Sequence, residues 1–164
     1  LVTSHRRENI GKGLENICLA LKSIASNRDD IEIVYLVHLN PKVLNPVSII
    51  LNKVKGIHII NPEDYLSFVY LMNRSHLIIT DSGGIQEEAP SLGKPVLVVR
   101  NTTERHEAIE AGTARLVGVD KKKIVKNVFE LLNNSIVYEK MSKTHNPYGD
   151  GDAAKKIVNF LKRF

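Results

Sequence analysis

The amino-acid sequence predicts an α/β domain built as a three-layer parallel sheet, and three observations carry that expectation. Short β-branched runs alternate with segments of helical periodicity. The runs are nearly continuous in apolar residues, the mark of strands covered on both faces. Polar and glycine-rich segments fall just after the strands, at the edge where open parallel sheets bind their ligands.

In chain order, Leu1 to Thr3 reads as the end of a first strand. Leu14, Ile17, Cys18, Leu21 and Ile24 then recur at helical spacing. Ile31 to Val37 is a buried strand, and Val43, Val47, Ile50, Leu51 and Val54 mark the next helix. Ile57 to Ile60 is a third strand, Tyr65 to Met72 a short helix and Leu77 to Thr80 a fourth strand. Ile85 to Leu92 is another short helix, followed by a strand from Pro95 to Val99 and a helix from Thr103 to Ala111. Ala114 to Val117 is a weaker strand, and Lys122 to Leu132 a clearly amphipathic helix. Thr144 to Asp152 is rich in turn formers and is expected as a structured loop before a last helix, Ala153 to Phe164.

Length and composition narrow the classes. A chain of 164 residues fits one domain, and 43% hydrophobic with 25% charged residues is ordinary for a globular protein. No apolar run approaches the ~20 residues of a membrane helix. The first residues lack the charge order of a signal peptide, and the chain reads as a piece of a longer protein whose missing part lies upstream. Cys18 is the one cysteine, so an internal disulfide is ruled out and the reducing cytoplasm is the default compartment. On the apolar stripe of its helix, Cys18 reads as a buried, inert thiol. The net charge is +5, but the basic residues are scattered, aromatics are 5% and Trp is absent, which argues against nucleic acid. Lys121 to Lys123 reads as a solvated helix start. The six histidines show no ligand spacing, so no metal is expected.

Four segments carry chemistry. In Thr80-Asp81-Ser82-Gly83-Gly84-Ile85-Gln86-Glu87-Glu88, a buried strand runs into a helix through two glycines. Ser82 is placed to cap that helix. Gly83 and Gly84 let backbone N–H groups approach an anion at the helix start, which together make a phosphate seat. Glu87 and Glu88, one turn on, can reach a ribose diol. A glycine-rich capped helix start with acidic first-turn residues is the plain alternative. His5, Arg6 and Arg7 follow the first strand and suit an anionic substrate; His5 can donate to phosphate or do acid–base work. Arg100 to Glu107 follows a strand as well, with Thr102 or Thr103 as a helix cap. Arg105 there faces a phosphate or sugar, or pairs with Glu104 or another acid. His38 follows the second strand.

Taken together, HRREN (His5 to Asn9), VHLNP (Val37 to Pro41), DYLSFVYLM (Asp64 to Met72), TDSGGIQEEAPSLGKPVLV (Thr80 to Val98), TTER (Thr102 to Arg105) and HNPYGDG (His145 to Gly151) resemble the non-hydrolysing bacterial UDP-N-acetylglucosamine 2-epimerases. The resemblance covers essentially the whole chain. It implies the C-terminal half of a glycosyltransferase-B type fold, so that residues 1–164 form a single Rossmann-like UDP-binding domain lacking its N-terminal catalytic partner. It implies interconversion of UDP-GlcNAc and UDP-ManNAc by elimination and re-addition of UDP across C1–C2, with no metal or nicotinamide cofactor. Ser82, Gly83 and Gly84 would then hold the phosphates, Glu88 the ribose, and the backbone near Phe68 the uracil. His5 would be an active-site histidine near phosphate and sugar, and Arg6 and Arg105 would contact substrate. His38 matches a second, activating UDP-GlcNAc site. The whole enzyme would be a homodimer, and the isolated piece could be a monomer. His106, Asn101 and Leu36 depart from the family's usual Pro, Asp and Pro; none removes a UDP contact. A hydrolysing relative, a glycosyltransferase and a non-catalytic nucleotide-binding module are the competing readings.

Overall fold

The computed structural model describes residues 1–163. Six strands form one wholly parallel sheet: β1 (Val2–Thr3), β2 (Ile33–Leu36), β3 (Ile57–Ile60), β4 (Ile78–Thr80), β5 (Val96–Val98) and β6 (Ala114–Leu116). Their spatial order is β3-β2-β1-β4-β5-β6. The chain therefore walks outward from β1 to β3, then returns to the other side of β1 and walks outward again. That reversal makes a topological switch point between β1 and β4, where the loops after the two strands diverge and leave a crevice.

Side-chain alternation along the strands builds the three layers. Leu77, Ile79, Leu97 and Val99 point to one face, where α1 (Lys12–Asn27), α2 (Pro41–Leu51) and α6 (Lys121–Asn133) supply Ile17, Leu21, Val47, Leu51, Ile124 and Leu131. Ile78, Val96 and Val98 point to the other face, against Met72 of α3 (Tyr65–Arg74), Ile85 of α4 (Gly83–Glu88) and Ala108 of α5 (His106–Ala111). Both faces are covered, which is why the strands lack polar alternation.

Helix starts follow their local chemistry. Asn40 caps α2, its Oδ1 accepting from Lys42 N at 3.0 Å, and Pro41 fills the first position, where a missing N–H costs nothing. Asp64 caps α3 and Asp120 caps α6. Three differences from the sequence expectation have physical causes. The expected helix over 85–92 splits into α4 and a 3-10 turn (Ala89–Leu92), because Pro90 has no N–H to continue the ladder. The helix expected from Thr103 begins at His106, because the buried Thr103 hydroxyl donates to Gln86 Oε1 at 2.8 Å. A helix not anticipated, α7 (Ser135–Ser142), is capped by Asn134, which accepts from Val137 N at 3.1 Å.

The 144–152 loop is held at Asn146, whose Nδ2 donates to Glu87 O at 3.0 Å and Ser91 Oγ at 2.6 Å. The final helix, α8 (Ala153–Leu161), is exposed throughout, including Ile157, Phe160 and Leu161. Phe164, which the sequence expectation includes in it, lies outside the described residues. Among the described residues no helix is long and apolar enough to cross a membrane.

Cys18 is fully buried on α1, and burial pushes its thiol up to about 12. An unfolded thiol titrates at about 8.5. The folded pKa is the higher one, so this group's contribution to stability is intact below about pH 8.5 and is lost as pH rises toward 12. Native protein should leave Cys18 unreacted with a thiol-specific chromogenic reagent at pH 8, and denatured protein should release one equivalent. Stoichiometric reaction of the native protein would contradict the burial.

Candidate functional site

The site forms where the loops after β1, β2, β4 and β5 converge. Its inner pin is Asp81, fully buried directly after β4. The Asp81 carboxylate accepts from Ser4 Oγ at 2.8 Å, His5 N at 3.0 Å, Arg6 N at 2.9 Å and Asn9 Nδ2 at 2.9 Å. Asn9 donates as well to Val99 O at 3.0 Å, tying in the end of β5. Thr3 and Thr80 share a hydroxyl hydrogen bond of 2.8 Å across the switch point. The loop after β1 is thus wrapped around a carboxylate belonging to β4. Its His5 and Arg6 amides point inward, and the imidazole and guanidinium are left to work outward.

A second pin fixes the loop after β5. Gln86, fully buried, donates to Ser82 O at 3.0 Å and accepts from Thr103 Oγ1. Thr103 Oγ1 accepts from Arg105 N at 3.1 Å, which sets the start of α5.

Between the pins lies the Ser82-Gly83-Gly84 turn. Ser82 has the extended backbone of an N-cap residue, but its hydroxyl makes no cap bond, contrary to the sequence expectation. Ser82 N donates to Thr80 Oγ1 at 3.0 Å. Among the described residues, no acceptor meets the N–H of Gly83 or Gly84. A Cβ on Gly84 would have nothing nearer than 3.7 Å, whereas one on Gly83 would lie 2.9 Å from Glu104 Oε1. The turn is therefore an open, uncapped helix start.

Charged side chains surround it. Arg105 Nε donates to Glu87. Arg100, mostly buried, donates from Nε to Glu8 Oε1 at 2.7 Å and from Nη1 to Glu104 Oε2 at 2.6 Å. The Glu8 hydrogen bond, ahead of the Glu104 one, raises Arg100 above its usual range against partial burial. Arg6 approaches Glu104 Oε1 at 3.7 Å. His5 stacks on His38 with ring centroids 5.3 Å apart, so the loops after β1 and β2 meet, and His38 Nδ1 accepts from Asn40 N at 3.0 Å. Glu88 is exposed and accepts from Tyr65 Oη at 3.0 Å, which brings the start of α3, and Phe68 with it, toward α4.

His5, Arg6, Ser82, Gly83, Gly84 and Arg105 are thus brought together, with His38 against His5 and Glu88 and Phe68 on the α3 side. Tyr65, Gln86, Arg100 and Glu104 complete the arrangement and were not anticipated in these roles. Only the four-residue spacing of Arg100 and Glu104 gave a local signal. A separate groove of about 560 Å³, lined by Leu1, Ile33, Leu77, Ile79, Val128 and Leu132 among others, opens at the amino ends of β2 and β4. It contains none of these residues. Ligand sites of such sheets lie at the carboxyl ends, so the crevice at the switch point is the candidate.

A parallel three-layer sheet with an arginine-lined, amide-bearing crevice at its switch point defines a Rossmann-like domain of the glycosyltransferase-B type. A C-terminal domain of a glycosyl transferase group 1 family protein from Francisella tularensis superposes with a TM-score of 0.71 at 17% identity, over 90% of this chain and 81% of that one, which shows the shared fold. The chain belongs to the UDP-N-acetylglucosamine 2-epimerase family, whose sequence model matches residues 1–162. It is 60% identical over 162 residues to the UDP-N-acetylglucosamine 2-epimerase of Escherichia coli (strain K12), covering 99% of this chain and 43% of that protein. The crystal structure of UDP-GlcNAc 2-epimerase from Neisseria meningitidis bound to UDP-GlcNAc matches with a TM-score of 0.94 and 50% identity, over 99% of this chain and 44% of that one. The chain thus spans less than half the length of these relatives.

Replacing Asp81 by Ala would strand the Ser4 hydroxyl, two backbone N–H groups and the Asn9 amide. Unfolding free energy should fall by about 3 kcal/mol, read from urea denaturation with unchanged slope. A loss below ~1 kcal/mol would show that the loop does not depend on this carboxylate.

Proposed function

We propose that this chain is the single UDP-binding domain of an epimerase that interconverts UDP-GlcNAc and UDP-ManNAc. In this reading the C1–O bond to UDP breaks as the C2 proton leaves, giving 2-acetamidoglucal and UDP. UDP then adds back while C2 is reprotonated on the opposite face. The observation that carries the reading is the pair of unpartnered Gly83 and Gly84 N–H groups beside Arg105, Arg6 and His5 at the switch point. The likeness to an epimerase described as bound to UDP-GlcNAc supports it.

Each residue has a role in that chemistry. Ser82, Gly83 and Gly84 hold the diphosphate by fixed dipoles at a helix start. Arg6 and Arg105 add charge where the leaving diphosphate becomes more negative as the bond breaks, an interaction that strengthens in the transition state. Glu88 takes the ribose diol with Tyr65 steadying it, and the backbone near Phe68 meets the uracil. His5 stands at phosphate and sugar as a proton donor, and His38, stacked on it, belongs to a neighbouring activator site for a second UDP-GlcNAc. Removing the C2 proton needs a positioned base. That base, and the other wall of the cleft, would come from an N-terminal domain, with the whole enzyme a homodimer that needs no metal or nicotinamide.

Calorimetric titration with UDP tests the seat. A Cβ at Gly84 meets nothing nearer than 3.7 Å, and Gly84→Asp sets a carboxylate against the phosphate. Wild-type binding that falls at least ~30-fold in the variant is expected, about 2 kcal/mol of repulsion and lost amide access. Equal binding would remove the phosphate from this turn. The 164-residue chain alone should show no epimerase turnover by product chromatography, because one wall of a cleft cannot hold the sugar in a reactive pose. Measurable turnover would overturn the two-wall reading.

A further inference from the structure

The arginines around the glycine turn share their carboxylates unequally. Arg100 has Glu8 to itself at 2.7 Å, and Arg105 has Glu87. Glu104 is different, because three arginines reach it: Arg100 at 2.6 Å, Arg6 at 3.7 Å and Arg105 at 3.9 Å. It is also the group nearest the turn, with Oε1 only 2.9 Å from where a Gly83 Cβ would stand. Its own backbone N–H and then Arg100 hold its carboxyl below the usual range, so it is anionic. An anion collected by three guanidiniums over an uncapped glycine turn has the surroundings that a phosphate would need.

We propose that Glu104 is an internal stand-in for the nucleotide's diphosphate, seated on the arginines when the ligand is away and exchanged for it on binding. This rests on the diphosphate seat proposed above. The exchange is physically inexpensive. The Glu104 side chain is 44% exposed, so it can turn to water without crossing the core. Arg100 and Arg105 keep Glu8 and Glu87 while Glu104 leaves, so neither guanidinium loses its orientation. Two carboxylates therefore orient arginines, and the third competes with the ligand. An arginine cluster with no such occupant would hold adventitious anions. With Glu104 in place, a single phosphate group gains little, and a ligand carrying two adjacent phosphates is needed to displace it.

The test is a set of titrations of the 164-residue chain with UDP, inorganic pyrophosphate and uridine, using wild type, Glu104→Gln and Glu8→Gln. Thermal melts establish that each variant is folded; Glu104→Gln is isosteric and half-exposed. Removing one competing charge should tighten UDP and pyrophosphate about fivefold or more in Glu104→Gln, with uridine unchanged. Glu8→Gln should weaken both phosphate ligands, because Arg100 loses its anchor. Equal or weaker UDP binding by Glu104→Gln would overturn the stand-in role and make Glu104 an organiser of the arginines. Tightening by both variants would mean general charge repulsion and would equally overturn it. Absence of UDP and pyrophosphate binding in every folded variant would instead sink the diphosphate seat itself, and this inference with it.

Discussion

The arrangement at the crevice depends on one buried carboxylate. Asp81 sits at the end of β4, out of water, and satisfies itself entirely with neutral donors from a loop more than 70 residues earlier in the chain. Burying an ionised carboxylate is costly unless its lone pairs are filled. The loop after β1 must therefore close around it in one conformation. That single requirement joins β1 to β4 where the sheet reverses direction. It turns the His5 and Arg6 amides inward and aims their side chains at the crevice. Through Asn9 it draws in the end of β5 as well, so three loops are positioned by one charge.

The sheet was readable because buried parallel strands announce themselves as short continuous apolar runs. All six lie within the expected segments; β3 matches its segment and the others are shorter by one to three residues. The long helices were readable from their stripes. α7 was not: its apolar residues include Ile136, which is exposed, so they mark no single face. The interruption at Ala89 needed attention to Pro90 rather than to the apolar pattern. At the site, the glycine turn and the histidine–arginine loop could be picked out because their residue types are unusual directly after buried strands. What could not be read was which groups they would meet. Gln86 and Thr103 are 17 residues apart, Tyr65 and Glu88 are 23 apart, and no spacing rule reaches that far. Ser82 shows the opposite limit, since an ideal residue type in an ideal place leaves its cap bond unmade.

The rim of the crevice is close to electrically balanced. Arg6, Arg100 and Arg105 stand against Glu8, Glu87 and Glu104, linked pair by pair into a continuous chain through Glu104. Such a network keeps three guanidiniums close together, where their mutual repulsion would otherwise spread them. It further explains how three guanidiniums can gather at a sheet edge without leaving a large net charge there. The protein's excess positive charge lies elsewhere, scattered over exposed lysines such as those opening α6.

The inward-facing amides of the β1 loop have a consequence for how such a site can change over generations. On the proposed reading, one wall of the crevice would meet its ligand through main-chain N–H groups, which every amino acid but proline carries, so substitution there would obstruct contact but hardly alter its chemistry. The opposite wall has committed its main chain to Asp81 and would meet the ligand only through side chains. There each substitution rewrites charge, reach and proton affinity. A domain built this way can conserve its grip on one half of a ligand while its preference for the other half drifts.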